Sequence, residues 1–127
     1  MQVKVIPLDV SARLNELRAL PPGWLEGGGA PPPGEGLDRL AAAFQTHFPD
    51  ELPSPYLYPT ETGGIQAEWQ IGAVDVSLEI DLRAHAAHWH TLSMQTNQAD
   101  SHDLDLNAEE SWRWLASAIR RLAGGAA

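Results

Sequence analysis

The chain has no cysteine in its 127 residues. That excludes disulfides, thiolate nucleophiles and Cys-ligated zinc, and it removes any need for an oxidising compartment. Positive charge is scarce as well. Eight Lys and Arg stand against 17 Asp and Glu, giving a formal net charge of -9. The clustered cations that grip a nucleic-acid backbone are therefore missing, and a basic partner suits this chain better. No segment approaches the roughly 20 apolar residues of a membrane span. Residues 1–9 show no long apolar run and no small-residue cleavage site, so a bacterial-type cytoplasmic location, away from any membrane, is expected.

Several catalytic signatures are absent too. Gly27-Gly28-Gly29 is followed by Ala30 and three prolines. A phosphate-cradling loop would end in Gly-Lys-Ser/Thr, so nucleotide binding is not expected. There is no Gly-x-Ser-x-Gly elbow for a serine hydrolase. Asp100-Ser-His-Asp-Leu-Asp105 lacks the central Gly and terminal Glu of a calcium loop and reads as a polar lead-in to a helix. No cofactor is expected.

What is present is a well-specified hairpin. Ile65, Ala67, Trp69 and Ile71 alternate with Gln66, Glu68 and Gln70, and Val74, Val76, Leu78 and Ile80 alternate with Asp75, Ser77, Glu79 and Asp81. This is the period-2 pattern of half-buried strands. A two-residue Gly72-Ala73 turn of type II′ would pair Ile71 with Val74, Trp69 with Val76, Ala67 with Leu78 and Ile65 with Ile80, placing every apolar residue on one face.

Around it, Leu14, Leu17 and Leu20 suggest a short amphipathic helix capped by Asp9 or Ser11 and stopped by Pro21-Pro22. Val3, Val5 and Ile6 are a candidate short edge strand. Residues 21–36 are expected to form a Gly/Pro-rich loop that Trp24 would anchor on the core. A second helix is expected over Leu37 to Phe48, ended by Pro49. Pro53 to Thr60 reads as a proline-flanked edge strand, and His88 to Gln95 as another strand. Asn107 with Glu110 resembles a capping box, opening a last helix with Trp112, Leu115, Ile119 and Leu122 buried and Gly124 as its stop. The expected fold is α+β: a single domain over 1–127, with a four-stranded antiparallel meander covered on one face by about three helices, in the order ααββββα.

The candidate chemistry sits beside the hairpin. His88 and His90, two apart on a strand, point to one face. A four-residue connection, Arg83 to Ala86, would set Asp81 opposite His88 and Glu79 opposite His90 on the polar face. A five-residue connection would turn both histidines to the apolar face with Leu92 and Met94. Trp89 favours the first register and Leu92 with Met94 the second, and a bulge would reconcile them. In the first, Glu68, Glu79, His88 and His90 could form a general acid/base site, with Glu79, His88 and His90 as candidate metal ligands. His47 and His102 read as surface residues. Trp24, Trp69 and Trp112 fall where core anchors belong, whereas Tyr56, Tyr58, Trp89 and Trp114 are the candidate partner-binding aromatics.

Gly23-Trp24-x-Glu26-Gly-x-Gly-Ala30-x-Pro, Pro59-Thr60-x-x-Gly63-Gly64-Ile65-x-x-Glu68-Trp69 and Leu78-Glu79-Ile80 together resemble a family of small uncharacterised bacterial proteins, over residues 14 to 82. Leu25, where that pattern has an acidic or polar residue, and the extra Gly28 depart from it. The resemblance implies no assigned activity and transfers no catalytic residue. Its members' short length resembles that of partners encoded in two-gene modules such as toxin and antitoxin pairs. The function expected is a non-enzymatic interaction domain, antitoxin-like or regulatory, whose partner is a protein from a neighbouring gene. The alternatives are a small metal-dependent or general acid/base hydrolase, and a homodimer made by pairing edge strands.

Overall fold

A computed structural model describes residues 10–24, 28–49 and 51–125. The candidate strand at Val3, Val5 and Ile6 and the Asp9 cap lie outside these residues. The hairpin forms in the expected register, with β2 (Ile65–Ile71) against β3 (Val74–Asp81) and Ile71–Val74, Trp69–Val76, Ala67–Leu78 and Ile65–Ile80 as opposed pairs. Gly72 has φ 60°, the left-handed value a primed turn requires at its first central position. On one side β1 (Tyr56–Pro59) pairs antiparallel with β2, and on the other β4 (Ala86–Ser93) pairs with β3.

Among the described residues the sheet has five strands rather than four, in the order β1-β2-β3-β4-β5. The segment expected to lead polar and irregular into the last helix is instead β5 (Ala99–Asp105), antiparallel to β4. Only Leu104 of its seven residues is buried, so the strand carries almost no alternation of its own. It exists because β4 offers a ladder and because Asn97, at φ 58°, turns the chain back. The order is therefore ααβββββα.

One face of the sheet is apolar. Leu57, Ile65, Trp69, Leu78, Trp89 and Leu104 are all buried on it. Among the described residues three helices cover that face: α1 (Val10–Leu17), α2 (Gly34–His47) and α3 (Glu109–Gly125). Aromatic contacts join the layers. Phe48 lies 6.3 Å from Trp69, Phe44 meets Trp112 edge-on at 5.1 Å, and Trp114 meets Trp89 edge-on at 5.5 Å. The expected capping box does not form. The Asn107 side-chain amide donates to the Asp105 carboxylate at 3.1 Å, and α3 begins two residues later and continues through Gly124.

The β3–β4 connection is Leu82 to His85, which sets Glu79 opposite His88 and Ser77 opposite His90. The histidines thus take the polar face, but each sits opposite a residue two positions earlier than expected. The ladder runs unbroken, with no bulge. Burying the large Trp89 indole decides the face, at the expense of leaving Met94 59% exposed.

His85 closes this connection at φ 52°, is only 3% exposed, and has an Nδ1 without a hydrogen-bond partner among the described residues. Burial, and then the Arg39 charge, lower its pKa from the ordinary 6.5, with Asp105 opposing. The folded state therefore favours neutral His85. Its stabilising contribution is complete above pH 6.5 and declines as the unfolded chain takes up a proton below that value. Urea midpoints measured between pH 7.5 and 5 should fall toward acid, and His85→Asn, which tolerates the left-handed backbone, should flatten that slope. An unchanged slope would show that other groups cause it.

Candidate functional site

The second face of the sheet is polar and open. Strand alternation lines its residues up in cross-strand rows. Tyr58, Gln66, Glu79, His88 and Asp103 form one row, and Tyr56, Glu68, Ser77, His90 and Ser101 the next. Tyr56 and Tyr58 are 42% and 45% exposed, unusually so for large apolar rings. The rows continue at one end to Gln70, Asp75 and Leu92, and at the other to Asp81 and Asp105.

No Lys or Arg occurs on any of the five strands, whereas Glu68, Asp75, Glu79, Asp81, Asp100, Asp103 and Asp105 do. All of these except Asp100 share the parity of the open face. The summed field over that face is therefore negative and favours approach by cations. Two open hollows mark it. One, of about 460 Å³, is bordered by Thr60, Glu79, Asp81, Arg83, His88 and Asp103. The other, of about 530 Å³, is bordered by Tyr56, Tyr58, Glu68, Asp75, His90 and Leu92.

The four residues considered for acid/base chemistry share this face without converging. Glu79 faces His88, but Glu68 and His90 flank Ser77 from opposite sides and so stand two strands apart. His88 is instead engaged by a residue that sequence reasoning passed over: its Nδ1 lies 2.6 Å from Asp103 Oδ1. The pair is half-exposed at His88 and 89% exposed at Asp103, so water screens it and its contribution to stability is about 0–1 kcal/mol. Gln66 Nε2 donates to Glu68 Oε2 at 2.6 Å. Among the described residues, no group of three His, Asp or Glu side chains is placed to hold a metal ion, Glu79, His88 and His90 included.

The aromatic candidates divide cleanly. Trp89 is not a surface residue: it is 4% exposed, with Trp69 at 6.4 Å on one side and Trp114 on the other. Trp114 is half-buried on the helix side, and His102, on β5 rather than in a loop, stacks on it at 4.2 Å. His47 stacks on Trp112 at 5.8 Å. Only Tyr56 and Tyr58 remain on the open face.

No family model, curated protein or solved structure matches the chain. Its two glycine-rich motifs nonetheless meet in space. Gly23 N–H donates to Gly29 O at 3.0 Å, the Trp24 indole N–H donates to Ala30 O at 2.8 Å, and Ala30 N–H donates to Glu61 O at 2.8 Å. Ala30 also bridges Thr62 in parallel. Trp24 thus anchors its own loop, and the loop anchors the β1–β2 turn. Within that turn the Gly64 N–H donates to Thr60 Oγ1 at 2.8 Å. Thr60, Thr62, Gly63 and Gly64 border the first hollow, so the second motif shapes the open face, to which it also contributes Glu68, and the first motif acts on that face through the turn it holds. No helix among the described residues is long and apolar enough to cross a membrane.

Proposed function

We propose that this chain is a non-enzymatic protein-interaction domain that receives a basic protein surface on the open face of its sheet. The observation that carries the reading is the composition of that face: carboxylates without a single strand-borne cation, next to two exposed tyrosines at its edge. Tyr supplies a large, amphipathic contact area at low conformational cost and recurs at interface hot spots. The acidic field steers a cationic partner and rejects acidic ones. The motif resemblance and the acidic open face favour an antitoxin-like or regulatory role toward the product of a neighbouring gene, in the cytoplasm.

Co-expression with the neighbouring gene products, followed by co-purification and titration, tests the proposal. Kd should rise with added salt. Tyr56→Ala and Tyr58→Ala should each weaken the complex by about tenfold or more, as truncated hot spots do, while changing unfolding free energy by less than about 0.5 kcal/mol. A complex indifferent to both tyrosines and to salt would overturn the reading, as would turnover of a substrate by the solitary protein.

A further inference from the structure

The two edges of the sheet are finished differently. At β1 the strand is four residues long and ends in Pro59, and α1 reaches across it: Arg13 Nε donates to Leu57 O at 2.9 Å. That carbonyl is one an added strand would need, so β1 is closed to pairing. This also removes β1 as the edge for the homodimer raised as an alternative from sequence.

At β5 the ladder is unfinished. Leu106 N–H donates to His85 O and Ser93 N–H donates to Gln98 O, both at 2.9 Å, which fixes the phase of the β4–β5 pairing. Residues 100, 102 and 104 therefore turn their backbone groups toward β4, and 99, 101, 103 and 105 turn theirs outward. Ala108 N–H takes the Asp105 carbonyl at 3.0 Å. Among the described residues nothing takes the outward N–H and C=O groups of Ala99, Ser101 and Asp103, and all three residues are exposed.

The side chains at this edge choose its occupant. β5 carries Asp100, Asp103 and Asp105 and no cation. Antiparallel pairing with β5 of a second copy, with Ser101 or Asp103 opposite Asp103, would bring the two Asp103 side chains diagonal to or directly opposite each other, and like charges directly opposite are destabilising. A strand with Lys or Arg at alternate positions meets no such penalty. Its cations would stand beside Asp103 and Asp105 on the open face.

We propose that β5 is a docking edge at which an extended, basic segment of a partner protein adds as a sixth strand, its alternate Lys or Arg side chains continuing the acidic rows of the open face. This rests on the reading above that the open face receives a basic protein, and it specifies the mode of attachment. Backbone hydrogen bonds supply affinity and the alternate cations supply selection, as in other strand-addition complexes.

The probe is the synthetic peptide Thr-Lys-Val-Lys-Val-Lys-Thr, titrated into the full chain and followed by amide NMR. In the free protein the Ser101 and Asp103 amides should exchange rapidly with solvent, and protection there would overturn the proposal by showing the edge already covered. With peptide, the largest shifts should run along β5. For an antiparallel added strand, in which the lysine amides face the edge, N-methylation of those amides should weaken binding by about tenfold, and methylation of the valine amides should not. Asp103→Asn combined with Asp105→Asn should weaken it by about tenfold, the loss of two cross-strand charge pairs. Replacing every Lys by Glu should abolish it. Shifts confined to β2 and β3, insensitive to N-methylation, would overturn strand addition and leave the face reading standing. No shift at millimolar peptide would overturn strand addition, while the face reading would still be decided by the tyrosine variants with the intact partner.

Discussion

Trp89→Ala is expected to lower the unfolding free energy by about 3–5 kcal/mol, the range for truncating a buried Trp. The indole is 4% exposed, stands opposite Leu78 in the β3–β4 ladder, and is held between Trp69 at 6.4 Å and the edge of Trp114 at 5.5 Å. Removing it leaves a cavity between sheet and α3 that neither neighbour is free to fill. Domains of this size are stable by about 5–15 kcal/mol, so the variant loses a large share of the total. Urea unfolding should show a lower midpoint with an unchanged m-value, while Tyr58→Ala, on the other face of the sheet, stays near wild type. Equal stability of the two variants would show that Trp89 is not a core residue.

Gly64→Ala should also be damaging, though less so, by a different route. A Cβ there would lie 2.6 Å from Ile80 O and 3.1 Å from Thr60 Oγ1. The Ile80 carbonyl belongs to a central strand paired on both sides, so it has no direction in which to retreat. Overpacking of this kind costs about 1–3 kcal/mol, and displacing Thr60 also endangers the hydrogen bond from Gly64 N–H that shapes the β1–β2 turn. Thermal unfolding should shift down, and β1 amides should exchange faster than those of β3. Gly124→Ala is the control, because nothing lies within 4 Å of its added Cβ. It should leave the protein as stable as wild type or slightly more so. A Gly64→Ala protein with wild-type Tm would mean that the close approach to Ile80 is not a constraint.

The sequence carried much of this fold where information was local. The β2–β3 register followed from alternation and Gly72, and the buried positions Leu14, Leu17, Trp112, Leu115 and Ile119 followed from helical spacing. The acidic balance announced the character of the open face. The candidate site was legible in part. Tyr56, Tyr58, Glu68, Glu79, His88 and His90 were singled out and all lie on that face, whereas Trp89 was assigned to a surface it does not reach. Asp103 was missed because it sits in a stretch with one buried residue and no β-branched or aromatic side chain, which gives no strand signal.

Sequence alone thus determined the hairpin, its buried face and the shortage of cations, because period-2 patterning, turn chemistry and composition need no distant contact. Tertiary structure decided the rest. Burial of Trp89 against Trp69 and Trp114 chose the face of β4, the connection Leu82 to His85 set Glu79 opposite His88, and β5, formed on a ladder supplied by its neighbour, brought Asp103 to that histidine. Capping of β1 by Arg13 and the edge of β5, open among the described residues, are likewise products of packing, since a backbone group is free or taken only by virtue of what folds beside it.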